Sequence, residues 1–205
     1  MTVSPQKLLL SGERSQLVVI DVQERLLPVI RDHLSVVASI RFLMDAAALL
    51  QVSTVVTEQY PKGLGPTVEL LRNHPATLAT LEKLKFSAAQ TLMTEWSVSG
   101  LSAPGPPLFR AQQIVLAGIE THICVQQTAL ELFEKGYQVF VAADCVGSRA
   151  ADDHQWALYR MANAGVIITT AEAIAFEWCE RAGNDSFKTL SRLVRDRDKQ
   201  RSDSN

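Results

Sequence analysis

The sequence is poor in the residues and motifs that announce a metal centre, a disulfide scaffold or a nucleotide site. Of its 205 residues only three are cysteine and four are histidine. The cysteine number is odd, no CxxC occurs, and the spacings match no zinc motif, which excludes a disulfide framework and a structural zinc site. A reduced, cytoplasmic location is the expectation. The histidines, His33, His74, His122 and His154, show neither His-x-His nor HExxH spacing, so no metal site is readable. GxGxxG and GxxxxGKS/T are both absent, which argues against a flavodoxin-like or other nucleotide binder. Charge of one sign is lacking too: 20 basic residues face 22 acidic ones, a net charge of -2, with no footprint for nucleic acid or a membrane surface. No apolar run approaches the ~20 residues of a bilayer-spanning helix. Leu8, Leu9 and Leu10 are too short a run for the core of a secretory signal.

What is present is apolar and periodic. A hydrophobic fraction of 47% is ordinary for a globular chain, and a chain of this length buries roughly 70% of its unfolded surface. The segment "QLVVID" (16–21) is a continuous β-branched run, as in a strand covered on both faces. "LSVVASIRFLMDAAALLQV" (34–52) reads as a helix, "STVVTE" (53–58) as a strand, and "TLEKLKF" (80–86) as a weaker, charge-interrupted strand. "AQQIVLAG" (111–118) is a strand and "HICVQQTALELFEKG" (122–136) a helix, with Val125, Ala129, Leu132 and Phe133 on one face and Gly136 as its stop. Then come a strand over 137–144, a helix over 152–165, a strand over 166–170 and a helix over 171–180. The segment "APGPPLF" (103–109) reads as a loop, and the charged end "RDRDKQRSDSN" (195–205) as a disordered tail. Alternating strands and helices predict a single three-layer α/β/α domain over 1–194 with a parallel sheet.

In such a sheet ligands bind beyond the carboxyl ends of the strands, so the polar residues at strand ends are the candidates. Asp21 ends the first strand; capping or pairing with Arg25 competes evenly there with a functional role. Lys83 and Lys85 fall on one face if their strand alternates, and the pattern does not choose between them; a solvated lysine is the commoner case. Cys124 opens a helix. A buried thiol is a common core residue, but the helix dipole lowers the pKa of a thiol at this position, and the N–H groups of the same turn hold an oxyanion. Cys145 and Cys179 read as structural. His122 lies two residues from Cys124, a spacing that does not face it on a helix.

Four segments together resemble the isochorismatase-like (cysteine hydrolase) superfamily: "VVIDVQERLLPVI" (18–30), "VVTEQYPKGLGPTV" (55–68), "LEKLKFSA" (81–88) and "VLAGIETHICVQQTALELFEKGYQVFVAADCVGSR" (115–149). The likeness runs from about Leu17 to Trp178, and 57–68 looks most like the isochorismatase domain-containing protein subgroup. The resemblance implies a six-stranded parallel sheet of order 3-2-1-4-5-6 and a catalytic triad of Asp21, Lys83 and Cys124. It implies an oxyanion hole from the N–H groups of Glu120 and Cys124, and a cis peptide between Ile119 and Glu120. By position, Gln23, Tyr60, Phe86, Ile119 and Thr121 line the substrate pocket. The histidines that hold a metal in nicotinamidases are missing from 57–68, so no metal and no cofactor are expected. Isochorismatases proper cleave a vinyl ether without a nucleophilic cysteine. Cys124 therefore points to a C–N bond in a small amide, carbamoyl or ureido molecule, cut through a thioester; a non-catalytic binding relative is the alternative. Relatives of this kind are commonly homo-oligomers, dimers or tetramers.

Overall fold

The computed structural model describes residues 8–99 and 112–203. Six parallel strands form one sheet in the order β3-β2-β1-β4-β5-β6, with β1 at Ser15–Ile20, β2 at Ser53–Gln59, β3 at Thr77–Lys83, β4 at Gln113–Ile119, β5 at Gln138–Gly147 and β6 at Ile167–Thr169. The helices are α1 (His33–Leu49), the single turns α2 (Pro61–Leu64) and α3 (Glu69–Arg72), α4 (Ala89–Ser99), α5 (Gln126–Glu134), α6 (Ala151–Ala164), α7 (Ala171–Cys179) and α8 (Asp185–Asp203). The loop expected over 103–109 lies outside the described residues.

The continuous apolar run of β1 follows from its central place. Successive side chains alternate between faces: Leu17 and Val19 join one core with α1, α7 and α8. Val18 and Ile20 join the other with α4, α5 and α6. Both faces are covered, so all six residues of the strand are buried. β3 is an edge strand with alternating exposure, which explains its broken pattern. It runs over Thr77–Lys83 rather than 80–86, and Lys85 lies beyond it. At the switch in strand order β4 comes very close to β1: a Cβ on Gly118 (φ 137°) would sit 2.2 Å from the Ile20 carbonyl oxygen.

The end of the chain corrects the expected disordered tail. Asp185–Asp203 is helical, with Leu190 buried against α1 and α7 and Phe187, Leu193 and Val194 packed beside it. Its anchor is Arg197, which donates to Asp144 Oδ2 at 2.6 Å and to Ser39 Oγ at 2.9 Å and lies over the Phe42 ring. Asp144 therefore lies inside β5, which extends to Gly147, and serves the fold. Replacing Arg197 by alanine removes the ion pair at Asp144 Oδ2, while Oδ1 keeps the Ala171 N–H at 2.8 Å; a loss of about 2 kcal/mol is expected, read as a melting temperature lower by roughly 4–8 °C.

Candidate active site

The carboxyl ends of β1, β2, β3 and β4 bring three of the candidate residues together. Asp21 follows β1 in the left-handed region (φ 54°), where its amide donates to the Thr57 carbonyl of β2. Its carboxylate is fully buried. Thr57 Oγ1 donates to Oδ1 at 2.7 Å, and Lys83 Nζ donates to Oδ2 at 2.6 Å. Lys83 thus reaches over β2 from the edge strand. Its ammonium also meets Gln59 Oε1 at 2.8 Å, the Phe86 carbonyl at 2.9 Å and the Lys85 carbonyl at 3.2 Å. Lys85, by contrast, is exposed and donates to Gln90. The ambiguity between the two lysines ends because the strand stops at Lys83. Arg25 does not pair with Asp21; it donates to the Gly63 carbonyl.

Cys124 sits in a π-helical turn, Thr121–Val125, which precedes α5. It is 4% exposed. Asp21, Lys83 and Glu120 are all in electrostatic reach of the thiol. Its pKa is pushed up to about 12, first by burial, then by the charge of Asp21, with Lys83 pulling the other way. This is the opposite of the lowering expected from a helix end: burial and the negative charge of Asp21 both disfavour the thiolate. The resting group is a neutral thiol beside a carboxylate that is itself braced by an ammonium.

The turn before Cys124 also differs from expectation. No cis peptide occurs among the described residues; the chain reverses through Glu120 in the left-handed conformation, φ 56° and ψ 63°. Such a conformation costs about 1–3 kcal/mol for a residue with a Cβ. Glu120 Oε1 is 2.7 Å from Arg149 Nε, and Oε2 is 3.4 Å from His122 Nδ1. His122 is thus a neighbour of Glu120, with Nδ1 3.1 Å from Ser148 Oγ. Thr128 Oγ1 donates to the Cys124 carbonyl at 2.7 Å and tethers the turn to α5.

The expected pocket residues divide into two groups. Gln23 is buried and its amide is committed to backbone: it donates to the Gln59 and Gly65 carbonyls and accepts from Gln59 N–H. It shapes the loop after β2. Ile119 is fully buried in β4, and Thr121 Oγ1 lies 3.0 Å from His154 Nδ1. Tyr60 and Phe86 are more than half exposed, and both are tied to Lys83, Tyr60 N–H donating to its carbonyl and the Phe86 carbonyl accepting from its ammonium. Sequence reasoning missed the roles of Thr57, Gln59 and Arg149, whose partners are 24 to 36 residues away in sequence. Among the described residues no group of three or more His, Cys, Asp or Glu side chains is arranged to hold a metal, and no helix is long and apolar enough to cross a membrane. Two surface hollows, about 600 and 470 Å³, lie elsewhere, the first beside Arg41 and His74, the second beside Gln51 and Arg181.

The family described as "Isochorismatase domain" matches residues 15–173. Isochorismatase domain-containing protein 2 of Danio rerio is 37% identical over 185 residues, covering 90% of this chain and 89% of that one. Among solved structures, the MAR1 ribonuclease of Caenorhabditis elegans superposes with a TM-score of 0.78 at 34% identity, covering 91% of this chain and 92% of that chain. The YcaC gene product of Escherichia coli, described as an octameric hydrolase of unknown specificity, superposes at 0.81 with 98% of each chain covered; at 24% identity it supports the fold alone.

Proposed function

The chain belongs to the isochorismatase family, and we propose that it is a cysteine-dependent hydrolase that cuts a C–N bond of a small amide, carbamoyl or ureido molecule. One observation carries this reading: the Cys124 thiol lies in electrostatic reach of the buried Asp21 carboxylate, which Lys83 holds at 2.6 Å. A neutral thiol beside a proton acceptor becomes nucleophilic as the proton leaves.

Asp21 takes the thiol proton while sulfur attacks the carbonyl carbon, and the C–S bond forms. Lys83 holds the Asp21 carboxylate in place through Oδ2. The carbonyl oxygen becomes an oxyanion held by the N–H groups of Glu120 and Cys124. The tetrahedral intermediate collapses, the C–N bond breaks, and Asp21 returns the proton to the leaving nitrogen. Water then attacks the thioester, with Asp21 as base, and restores the thiol. Tyr60 and Phe86 are exposed beside Lys83, which favours a substrate with an apolar body. Three cysteines, none of them in a disulfide, fit a reducing, cytoplasmic setting. Assembly into a homo-oligomer is part of the proposal. Its surface is α6, where Trp156 and Tyr159 are exposed, and not α7, whose Ile174 and Trp178 are spent in the core.

The test is to incubate the protein with a panel of small amides, carbamates and ureides, quench in acid, and map adducts by mass spectrometry. An acyl or carbamoyl group on Cys124, with release of amine or ammonia, supports the reading. Ligand-induced melting shifts without any adduct or product would instead favour a non-catalytic binder, a reading that the high pKa and small exposure of Cys124 keep in view.

A further inference from the structure

The side chain of Glu120 stands outside the triad, yet its surroundings bear on the reaction. Residue 120 is the left-handed residue that reverses the chain between β4 and the Cys124 turn. Nothing in its backbone favours that conformation, because only glycine, and to a lesser degree Asn and Asp, adopt it readily. Its carboxylate is buried, with 5% of the side chain exposed, and a buried carboxylate needs a partner. Oε1 has one, Arg149 Nε at 2.7 Å. Oε2 has no hydrogen-bond partner; His122 Nδ1 lies 3.4 Å away but is closer to Ser148 Oγ. His122 Nε2 faces Asp153 at 3.6 Å.

Arg149 is held in place to serve as that partner. Gly147 of β5 lies in register with Ile119 of β4, so Arg149, two residues on, is level with the Cys124 turn. The Ser148 carbonyl accepts from Arg31 N–H, which fixes the segment from the other side. We infer that the Arg149–Glu120 ion pair holds the left-handed turn and thereby sets the oxyanion hole, making Arg149 a positioning residue for acyl transfer. This inference rests on the hydrolase reading above. Without Arg149 the Glu120 carboxylate is uncompensated, the turn relaxes, and the N–H of Glu120 leaves the place where the oxyanion develops.

Two reagents separate this role from a general one. Iodoacetamide alkylates the thiolate by displacement at carbon: the C–S bond forms, iodide leaves, and no oxyanion develops. With p-nitrophenyl acetate the thiolate attacks a carbonyl, an oxyanion forms, the C–S bond replaces the C–O bond, and p-nitrophenolate leaves. Both consume the same thiolate, so any change in the thiolate fraction cancels in the ratio of rates. Arg149→Met, a change at a side chain 56% exposed, is expected to lower the ratio of acylation to alkylation by about 10–100-fold, with Arg149→Lys recovering part of it. An unchanged ratio in Arg149→Met, or a rank order with Lys no better than Met, overturns the inference. If the unmodified protein alkylates at Cys124 but is never acylated there, the hydrolase reading fails first and this one with it.

Discussion

Replacing Cys124 by alanine is expected to abolish adduct formation and to lower turnover by at least about 10³-fold, since a nucleophile removed from a covalent mechanism leaves only binding and the oxyanion hole. The fold should survive. The thiol is packed in the core cluster with Val125, Ala129 and Leu92, so its loss opens a cavity of atomic size and costs about 1 kcal/mol, readable as a small melting shift. The tether from Thr128 goes to the Cys124 carbonyl, not to sulfur, and remains in the variant. Cys124→Ser is a sharper comparison. It keeps the shape but offers a hydroxyl that ionises far less readily than a thiol, so it should also be nearly inactive. Wild-type turnover in either variant, measured on a substrate returned by the adduct screen, would remove Cys124 from the mechanism.

The sheet was legible where burial is total. β1 and β4 are covered on both faces and read as apolar runs, and β2 shows its β-branched stretch Thr54–Thr57, so their places were readable to within a residue or two. β3 was not, because an edge strand shows its alternation to solvent and its charged residues blur the ends. That mattered for function: Lys83 and Lys85 are indistinguishable by period, and the choice depends on the strand stopping at Lys83. The strand order itself came with the family resemblance, since neither apolar period nor turn chemistry encodes which strands pair. The helix α8 was missed for a similar reason. Its end is dense in charge, and the ion pair that anchors it joins Arg197 to Asp144, 53 residues earlier. A local reading of composition takes such a segment for a tail. The site failed in the same direction. A helix end beside Cys124 is a local feature and predicts a lowered thiol pKa; burial, and then the carboxylate of Asp21, 103 positions away in the chain, raise it instead.

That reversal makes Asp21→Asn the variant with opposite effects on two reactions. Burial and then the charge of Asp21 raise the thiol pKa, while Lys83 lowers it. In the unmodified protein the rate of alkylation of Cys124 should therefore climb with a midpoint above the ~8.5 of free cysteine. Asparagine removes the negative charge and leaves the ammonium, so the midpoint should fall and alkylation near neutral pH should become faster. Turnover should fall by about 10³-fold or more, because no group remains to take the proton in attack and return it to the leaving nitrogen. The variant should fold. Asparagine tolerates the left-handed conformation of residue 21, and the Lys83 ammonium keeps Gln59 and two carbonyls as acceptors. Stability carries the same sign. Between the ordinary thiol value of 9.0 and about 12 the unfolded chain loses its proton while the native thiol keeps it, so this group's contribution to stability is full below that window and lost as pH rises through it. In Asp21→Asn the window narrows. An alkylation midpoint below that of free cysteine in the unmodified protein, rising on substitution of Asp21, would show a preformed thiolate and sink the picture of Asp21 as the base acting on a resting thiol.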